Sequence, residues 1–454
     1  MKISDKEKEL AGYCIRTAVE LGASAARASL SKSVSDSYAT LEGALDKVTH
    51  SADRSIFLHL FVDGRYGTYS TNMLDEQQLR LFVSQAVEST RLLAPDECRR
   101  LPARELCADD ALTGEEMGLY DPAYMDMNAD DRLAIALSAH VPESGEDYSV
   151  VSLECEYSDN IDDNYIIDSQ GFEGRHTETS FSVVSEITIA DKEGRRYSGF
   201  WWDSSWCKGK LFSPGANPID TCTSIALERA RAQMNPGQTR GGKRKMVVDR
   251  NVASRLVAPL FGALYGSSIQ QKNSFLIDAL GKKTFADGLT IIDMARATGK
   301  AGARLFDTEG VATENRAIIE NGVVKTNFID TYISGKMGVG QTIEGPSVPV
   351  LQPYPCNILG NEINLQRILK ACGNGILVTG FNGGNCNAAT GNFSYGVEGF
   401  TFSRGKIVKP VRELVITGNM IELWNQLIYA GNDPRQCSRW QIPTLAFKDV
   451  TFSA

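Results

Sequence analysis

The residues that could bind a metal are few in this chain and widely spaced. Its four histidines are His50, His59, His140 and His176, and no two of them lie within five residues of each other. Zinc hydrolases commonly place two histidines one helical turn apart, with a glutamate between them that acts as the general base. We therefore expect no metal site in this chain, and less than about one-tenth equivalent of tightly bound zinc.

The ten cysteines offer a second kind of chemistry, since a thiolate can act as a nucleophile. None of them form a CxxC pair, which is typical of reduced thiols rather than of a zinc finger. Cys386 and Cys437 are the candidates for a nucleophile, but each would need a base or a cation nearby to become reactive. A stand-alone cysteine-type or otherwise unrecognised hydrolase is therefore kept as an alternative.

The most unusual segment is residues 380–400, which hold six glycines and four asparagines in 21 residues. Glycine and asparagine both tolerate positive φ, so a loop built from them can expose backbone donors and acceptors. Such a loop could hold an extended peptide through main-chain hydrogen bonds. It could also be a subunit interface, or a tightly folded structural loop. The candidate peptide-binding or interface residues are Asn382, Gly383, Gly384, Asn385, Cys386, Asn387 and Asn392.

Four aspartates lie close together in the sequence, well before the segment 380–400. Asp159, Asp162, Asp163 and Asp168 lack the spacing and the glycine of a calcium-binding loop. Because Asp-Asn pairs favour turns, we expect a turn at Asp159–Asn160 and a solvated hairpin tip rather than a metal site.

The sequence signals for helices and strands, which must position these residues, predict a mixed α+β protein. Ser4 can cap a first helix, Asp63-Gly64 predicts a β-hairpin, and a second helix covers roughly residues 76–93. Residues 1–95 thus read as an N-terminal α+β region of antiparallel strands bracketed by helices. Residues 96–235 read as a central strand-rich region with flanking helices.

Residues 236–454 differ in character from the first half. Short strands alternate there with glycine-rich turns, and Asn321-Gly322 and Arg404-Gly405 mark two hairpins. Many short strands with regular turns favour a barrel or a sandwich. We therefore expect a strand-rich C-terminal barrel- or sandwich-like domain.

Composition narrows the classes of function. The net charge is -9 and the sequence pI is about 5.2, so we expect no direct nucleic-acid binding. No apolar run reaches about 18 residues, so we expect no membrane span. The N-terminal residues MKISDKEKEL contain no apolar core of a signal peptide. We expect a cytoplasmic protein.

The second half of the chain resembles the TldD/PmbA family. The likeness runs through several separated motifs in the family's order: Ser274-Phe275-Leu276, Leu280-Gly281, the segment 380–400, Pro410-Val411-Arg412-Glu413, Thr417-Gly418-Asn419, Gly431-Asn432-Asp433 and Pro443-Thr444-Leu445. The resemblance implies a chain of three regions, as in other members of the family. The family also has an older label, modulator of DNA gyrase. The acidic charge gives no support for contact with DNA.

The resemblance also implies a branch. In the family the TldD branch carries HExxxH on a helix and acts as a metallopeptidase, whereas the PmbA or TldE branch lacks that motif. The corresponding helix here falls near residues 259–267, which contain no His or Glu. Cys437 lies in the stretch where the metal-bearing branch uses a cysteine, but without the two histidines we assign it no such role.

The expected function is that of a non-metal-binding, PmbA/TldE-like subunit of a heteromeric metalloprotease that acts on unfolded or linear peptides. The resemblance implies a TldD-like partner that bears HExxxH and holds the zinc, with no cofactor and no catalytic residues in this chain. A homodimer is a further possible assembly. The third hypothesis is a homo-oligomeric peptide-binding protein with no catalytic role.

Overall fold

The computed structural model describes residues 2–237, 239–355 and 362–453, and they divide into two compact units. The first unit comprises residues 1–231 and 298–313, and the second comprises residues 232–297 and 314–454. No helix in the described ranges is long and apolar enough to cross a membrane.

The first unit is built on one large sheet. Its elements in chain order are α1 (Asp5–Glu20), β1 (Ala25–Leu41), β2 (Ala44–Val62), β3 (Arg65–Thr71), α2 (Glu76–Arg91), the 3₁₀ turns Arg104–Leu106 and Pro122–Asp126, α3 (Ala129–Ala136), β4 (Tyr148–Asp168), β5 (Glu173–Asp191), β6 (Arg196–Ser205), α4 (Lys208–Leu211) and α5 (Pro218–Ala232). The strand order is β3-β2-β1-β4-β5-β6, and every neighbouring pair is antiparallel. Strands from residues 1–95 and 96–235 therefore share one sheet.

The first helix and the first hairpin of this unit lie where local sequence signals predict them. Ser4 and Glu7 form a capping box at the start of α1, which satisfies two of the N–H groups that a helix leaves unpaired. Asp63 and Gly64 both have positive φ and join β2 to β3 as a two-residue hairpin turn. The apolar faces of α1 and α2 pack on one end of the sheet, where Leu58 and other side chains are fully buried.

The prediction of a turn at Asp159–Asn160 is wrong, because β4 runs through both residues without a break. Asp159 and Asp163 are 2% and 0% exposed, so they do not form a solvated tip. Arg132 donates from Nε to Asp159 Oδ2 at 2.9 Å and from Nη2 to Asp159 Oδ1 at 3.1 Å, and Arg175 Nε donates to Asp163 at 2.9 Å. These guanidinium groups replace the water that an aspartate in a turn would use, and a carboxylate can therefore lie inside the sheet.

The second unit is richer in short strands. Its elements are β7 (Gly242–Val248), α6 (Ser254–Leu264), α7 (Gly266–Gln270), β8 (Ile291–Asp293), β9 (Arg316–Glu320), β10 (Val323–Val324), α8 (Thr331–Met337), β11 (Pro349–Leu351), α9 (Leu365–Cys372), β12 (Gly375–Cys386), β13 (Asn392–Ser403), β14 (Lys406–Asn419), α10 (Met420–Trp424), β15 (Leu427–Ala430) and β16 (Leu445–Ser453). β8 to β11 form a small sheet in the order β10-β9-β8-β11.

A five-stranded barrel dominates the second unit. The strand order β14-β13-β12-β7-β16 closes on itself because β14 also pairs with β16, from Val415↔Ser453 to Thr417↔Thr451. The pair β12 and β7 is parallel and the other barrel pairs are antiparallel. The two predicted hairpins are present at Asn321-Gly322 and Arg404-Gly405. The predicted α+β class is confirmed, and of the two forms expected for the C-terminal domain, a barrel or a sandwich, the structure has the barrel.

Candidate functional site

The glycine- and asparagine-rich segment lies at the end of the β12–β13 hairpin, where β12 extends beyond its neighbour β7. β7 pairs with β12 only from Ile376 to Val378, whereas β13 pairs with β12 as far as Cys386↔Phe393. Within the described part of the chain, residues 380–386 therefore have a strand on one side only. Residues 382–385 are exposed, so this strand edge faces solvent.

A two-residue bulge shapes this edge. The pairing register shifts between Asn382 and Asn385, and the residues between them, Gly383 and Gly384, have φ of 72° and 81°. A Cβ on Gly384 would lie 1.9 Å from the Ser394 carbonyl oxygen, whereas a Cβ on Gly383 would meet nothing within 4 Å. Gly384 is thus required by space as well as by conformation, and Gly383 by conformation alone.

The turn itself is shorter than the glycine and asparagine content suggests, because residues 382–386 belong to β12. The Asn387 side-chain oxygen accepts hydrogen bonds from the N–H groups of Ala389 and Thr390, both at 3.0 Å. Asn419 Nδ2 donates to the Asn392 side-chain oxygen at 3.0 Å. The side chains of Asn387 and Asn392 are therefore engaged in holding the turn.

Asn382 and Asn385 differ from the other two asparagines of the segment. Both are exposed, and neither side chain makes a hydrogen bond to any residue that the structure describes. Each free amide presents two donors and an acceptor. These two residues are therefore the side chains of the predicted set that are best placed to bind a ligand at the open edge.

Arg255 is a residue of this site that sequence reasoning missed. It lies at the start of α6, donates a hydrogen bond from Nη2 to the Gly384 carbonyl at 3.3 Å, and places its guanidinium 5.4 Å from the centroid of the Tyr395 ring. The rings of Phe381 and Phe393 pack against Tyr395 in turn. Arg255 and Gly384 are 129 residues apart in sequence, so no local pattern could have linked them.

Cys386 lacks the surroundings of a catalytic thiol. Its Sγ contacts the carbonyl oxygen of the adjacent Asn387 at 3.8 Å, and burial raises the pKa of the thiol. All four histidines of the chain precede residue 232, so the unit that carries Cys386 contains none. Raised pKa and the lack of an imidazole in its unit both oppose formation of a reactive thiolate.

Cys437 has different neighbours. Arg435, which is 9% exposed, directs Nε and Nη2 at its sulfur from 3.3 and 3.1 Å. A guanidinium stabilises a thiolate, but a thiol hydrolase also needs a general base, and this unit has no histidine to act as one. Cys356, the tenth cysteine, lies outside the described residues.

A small polar pocket adjoins the turn at the end of the barrel. It has a volume of about 130 Å³ and is lined by charged side chains of three elements, Lys243, Glu422 and Asp449. Asn419 also lines the pocket, and it donates through Nδ2 to the Thr390 carbonyl in the turn at 2.8 Å. The volume suits one small polar group, such as a peptide amide or a single side chain, rather than a whole ligand.

The donor set of this unit does not fit a zinc ion. α6 and α7, which include the region where the resemblance places the metal-bearing helix, contain no His, Cys, Asp or Glu. No group of three or more such side chains within the described ranges is close enough to hold a metal. A structural or catalytic zinc needs at least three protein ligands, and the described residues do not bring three together.

Comparison with protein families gives matches along nearly the whole chain. Residues 26–90, 124–234 and 241–454 match, in order, domain 1, the central domain and the C-terminal domain of the PmbA/TldA metallopeptidases. Among curated proteins, the metalloprotease PmbA of Escherichia coli O157:H7 is 26% identical over 436 residues, which cover 94% of this chain and 93% of that protein. A TldD homologue of Buchnera aphidicola is 24% identical over 261 residues, 56% of this chain and 54% of that protein.

Solved structures share the fold over the full length. A protein of Bacteroides thetaiotaomicron that carries the modulator of DNA gyrase label is 39% identical, with a TM-score of 0.91 and complete coverage of both chains. TldE of Thermococcus kodakarensis is 16% identical, with a TM-score of 0.76 over 98% of this chain and 100% of that chain, which shows a common fold. The family matches and the 39% identical structure agree on one assignment. This chain belongs to the PmbA/TldD metallopeptidase family.

Proposed function

We propose that this chain is a non-catalytic, PmbA/TldE-like subunit of a heteromeric metallopeptidase, and that it holds unfolded or linear peptides for a TldD-type partner. The observation that carries the proposal is the exposed edge of β12 in a unit that has no histidine. The described part of the unit offers a surface for an extended chain, but none of its His, Cys, Asp and Glu side chains form a group of three close enough to bind zinc. In this division of labour the partner supplies the zinc, and this chain supplies no cofactor.

The β12 edge suits strand addition. An extended peptide that pairs with an exposed strand forms main-chain hydrogen bonds that do not depend on its sequence. Beyond Val378, where β7 ends, the backbone of β12 offers such groups over residues 380–386, apart from the Gly384 carbonyl, which Arg255 binds. Gly383 adds no side chain at this edge, so a second backbone can approach closely.

The neighbouring side chains would fix the position of a bound peptide. The amides of Asn382 and Asn385 can each donate to and accept from a peptide group. Arg255 holds the Gly384 carbonyl and thereby stabilises the bulge on which both asparagines are displayed. An exposed edge with few charged side chains is indifferent to peptide sequence, which suits a subunit that acts on unfolded chains.

The proposal is tested by peptide binding to this chain alone, measured by fluorescence anisotropy with a labelled unstructured peptide and with a folded protein of similar size. We expect binding of the unstructured peptide only. The double variant Asn382→Ala/Asn385→Ala should weaken binding by about tenfold, since each amide hydrogen bond contributes about 0.5 to 1 kcal/mol. Gln366→Ala, which removes an exposed amide from α9, is the matched control and should bind like the wild type.

A second variant tests the approach of the peptide backbone. Gly383→Val places a branched side chain in open space at the edge and should abolish binding. Gly338→Val is its control, because Gly338 also has positive φ, at 65°, and no atom within 4 Å. Equal binding by the Gly383 variant and the wild type would remove the β12 edge from the proposed site.

The rival functions predict other results. A cysteine-type hydrolase would hydrolyse peptides alone and would lose that activity on replacement of Cys386 or Cys437. A homo-oligomeric peptide-binding protein would bind peptides but would gain no activity from a metal-bearing partner. Cytoplasmic location and the lack of nucleic-acid binding stay predictions.

A further inference from the structure

The first unit has a long open strand edge that the proposed function does not use. β1 pairs with β2 along nearly its whole length, but β3 covers only the second part of β2, from Ile56 to Val62. Residues 44–55 have no strand on their other side within the described chain, and residues 44–54 are all exposed. Alternate residues of an antiparallel strand direct their N–H and C=O groups to opposite edges, so about half of these residues offer backbone groups to solvent.

The direction of the backbone N–H and C=O groups of His50 follows from the hairpin between β2 and β3. Val62 and Arg65 close the two-residue turn and are paired through their backbone groups, so Val62 faces the edge that β3 covers. Every second residue of β2 faces the same edge, and the register with β1 is unbroken from Phe61 back to Lys47. His50 therefore directs its N–H and C=O groups to the open edge.

An open edge of this length is unusual, because proteins normally keep edge strands short or interrupt them to prevent unwanted pairing. Residues 44–55 contain no proline or glycine. They do contain four formally charged residues, Asp46, Lys47, Asp53 and Arg54, and charge on an edge usually serves to keep other strands away. The order of these charges, however, favours one particular strand.

The charges are complementary to those of a second, antiparallel copy of the same strand. If the two copies are centred on His50, Lys47 lies opposite Asp53 and Asp53 opposite Lys47. In the same register the small residues Ser51 and Ala52 face Thr49 and Val48. Arg54, which would lie opposite Asp46, already pairs with Glu7 at 3.4 Å, and the register with β1 shifts at Asp46, so Lys47 and Asp53 carry the charge complementarity. Opposite charges that face each other across two strands stabilise the pair, and like charges destabilise it.

The length of the edge points independently to the same register. The open stretch begins at Ala44, next to the β1–β2 turn, and ends at Ser55, where β3 starts to cover β2. Its middle lies between Thr49 and His50, so a pairing centred on His50 uses almost the full open length in both copies. We propose that a second copy of this chain binds along residues 44–55 of β2 and joins the two six-stranded sheets into one.

His50 and Arg54 already contact Asp36 and Glu7, at 2.9 and 3.4 Å, but the two charged side chains that specify this register, Lys47 and Asp53, are available. Lys47 is exposed and forms no ion pair or hydrogen bond with any described residue, and Asp53 accepts a hydrogen bond only from the Ser51 hydroxyl, at 2.7 Å. Leu45 and Val48 are 46% and 49% exposed, and pairing would bury part of their apolar surface away from water. The new ladder would add about ten backbone hydrogen bonds, from five or six edge-facing residues in each copy.

Charge exchange within one chain tests the inference, which does not rest on the proposed peptidase role. Sedimentation equilibrium over about 1 to 100 µM would be run on the wild type, Lys47→Asp, Asp53→Lys and the double variant Lys47→Asp/Asp53→Lys. We expect a wild-type dimer of twice the chain mass of 49.6 kDa. Each single variant sets like charges opposite each other at two symmetric places and should weaken the dimer about tenfold.

The double variant restores opposite charges in both pairs and should dimerise within about threefold of the wild type. Lys192→Asp is the control for net charge, because Lys192 is an exposed lysine of the same unit whose ion pair with Asp147 is far from β2 in sequence. A wild type that stays monomeric up to the highest concentration would overturn the inference. So would a dimer that the single variants leave unchanged, or one that the double variant does not restore. The far-UV circular dichroism and the thermal unfolding midpoint of each variant, compared with those of the wild type, test correct folding independently of the β12 site.

Discussion

Replacing Gly384 by alanine tests the bulge on which the proposed peptide site depends. Gly384 has φ of 81°, and a Cβ there would lie 1.9 Å from the Ser394 carbonyl oxygen. Gly383 is the matched control. It has nearly the same backbone strain, with φ of 72°, but open space where its Cβ would lie. The difference between the two alanine variants therefore measures the steric effect of the Cβ at position 384.

The magnitudes follow from these distances. Positive φ costs a non-glycine residue about 1 to 2 kcal/mol, and this cost applies to both variants. A Cβ at 1.9 Å from a backbone oxygen cannot be accommodated, so in Gly384→Ala the strands must separate beyond the bulge. That separation loses the pairs Asn385↔Ser394 and Cys386↔Phe393, at about 1 kcal/mol for each lost hydrogen bond. We therefore expect about 1 to 2 kcal/mol for Gly383→Ala and about 3 to 4 kcal/mol for Gly384→Ala.

Native-state hydrogen exchange with mass spectrometry resolves local opening of this kind. The N–H groups of Asn387 and Gly391 lie beyond the bulge and are bonded to Asn392 O and Asn387 O at 2.8 Å, so their protection reports on the hairpin end. Protection should fall about 5- to 30-fold in Gly383→Ala and more than about 100-fold in Gly384→Ala. Ile376 and Leu377, on the part of β12 that pairs with β7, should keep theirs. Equal losses in the two variants would refute the steric argument, and so would an unaffected Gly384→Ala.

Three further predictions concern stability, reactivity and metal content. Burial alone would raise the pKa of Glu7, but hydrogen bonds from Ser4 and Lys32 outweigh it and lower the pKa to about 2. Its contribution to stability is present above about pH 4.5 and is lost as the pH falls towards 2, so Glu7→Gln should lower the urea midpoint more at pH 6 than at pH 3. Because burial raises the pKa of Cys386, iodoacetamide should alkylate this thiol more slowly than it alkylates free cysteine, as measured by mass spectrometry. The variant Cys386→Ala should keep any peptidase activity of the complex within a few-fold of the wild-type activity. The chain purified without a His tag should contain less than about one-tenth equivalent of zinc by elemental analysis, whereas stoichiometric zinc bound by its own side chains would contradict the branch assignment.

Elements with strong local signals could be predicted from the sequence. The hairpins at Asp63-Gly64 and Arg404-Gly405 are present because each dipeptide adopts the positive φ values that a two-residue turn between twisted strands requires. The capping box at Ser4 and Glu7 is another such case, since both partners lie within one helical turn.

Features that depend on contacts between distant residues could not be predicted in this way. The turn expected at Asp159–Asn160 fails because Arg132, 27 residues away, binds the Asp159 carboxylate inside the sheet. Closure of the barrel by β14 and β16 likewise has no local signature. In the candidate site, the glycine content predicted an accessible backbone. Which of its asparagines hold the turn and which are exposed depends on contacts such as the one from Asn419 to Asn392, which lie 27 residues apart.

The most direct test of the central claim is a peptidase assay. Three samples would be compared: this chain, a TldD-type subunit bearing HExxxH, and their mixture. Each would be assayed on an unstructured peptide and on a folded protein. A non-catalytic subunit predicts no turnover by this chain alone, and turnover of the unstructured peptide by the mixture that exceeds the activity of the TldD-type subunit alone. The Gly383→Val variant should reduce the activity of the mixture without preventing its assembly, as judged by size-exclusion chromatography. Turnover by this chain alone, with contaminating peptidases excluded by an inactive preparation made in parallel, would contradict the account, and so would a mixture no more active than the TldD-type subunit alone.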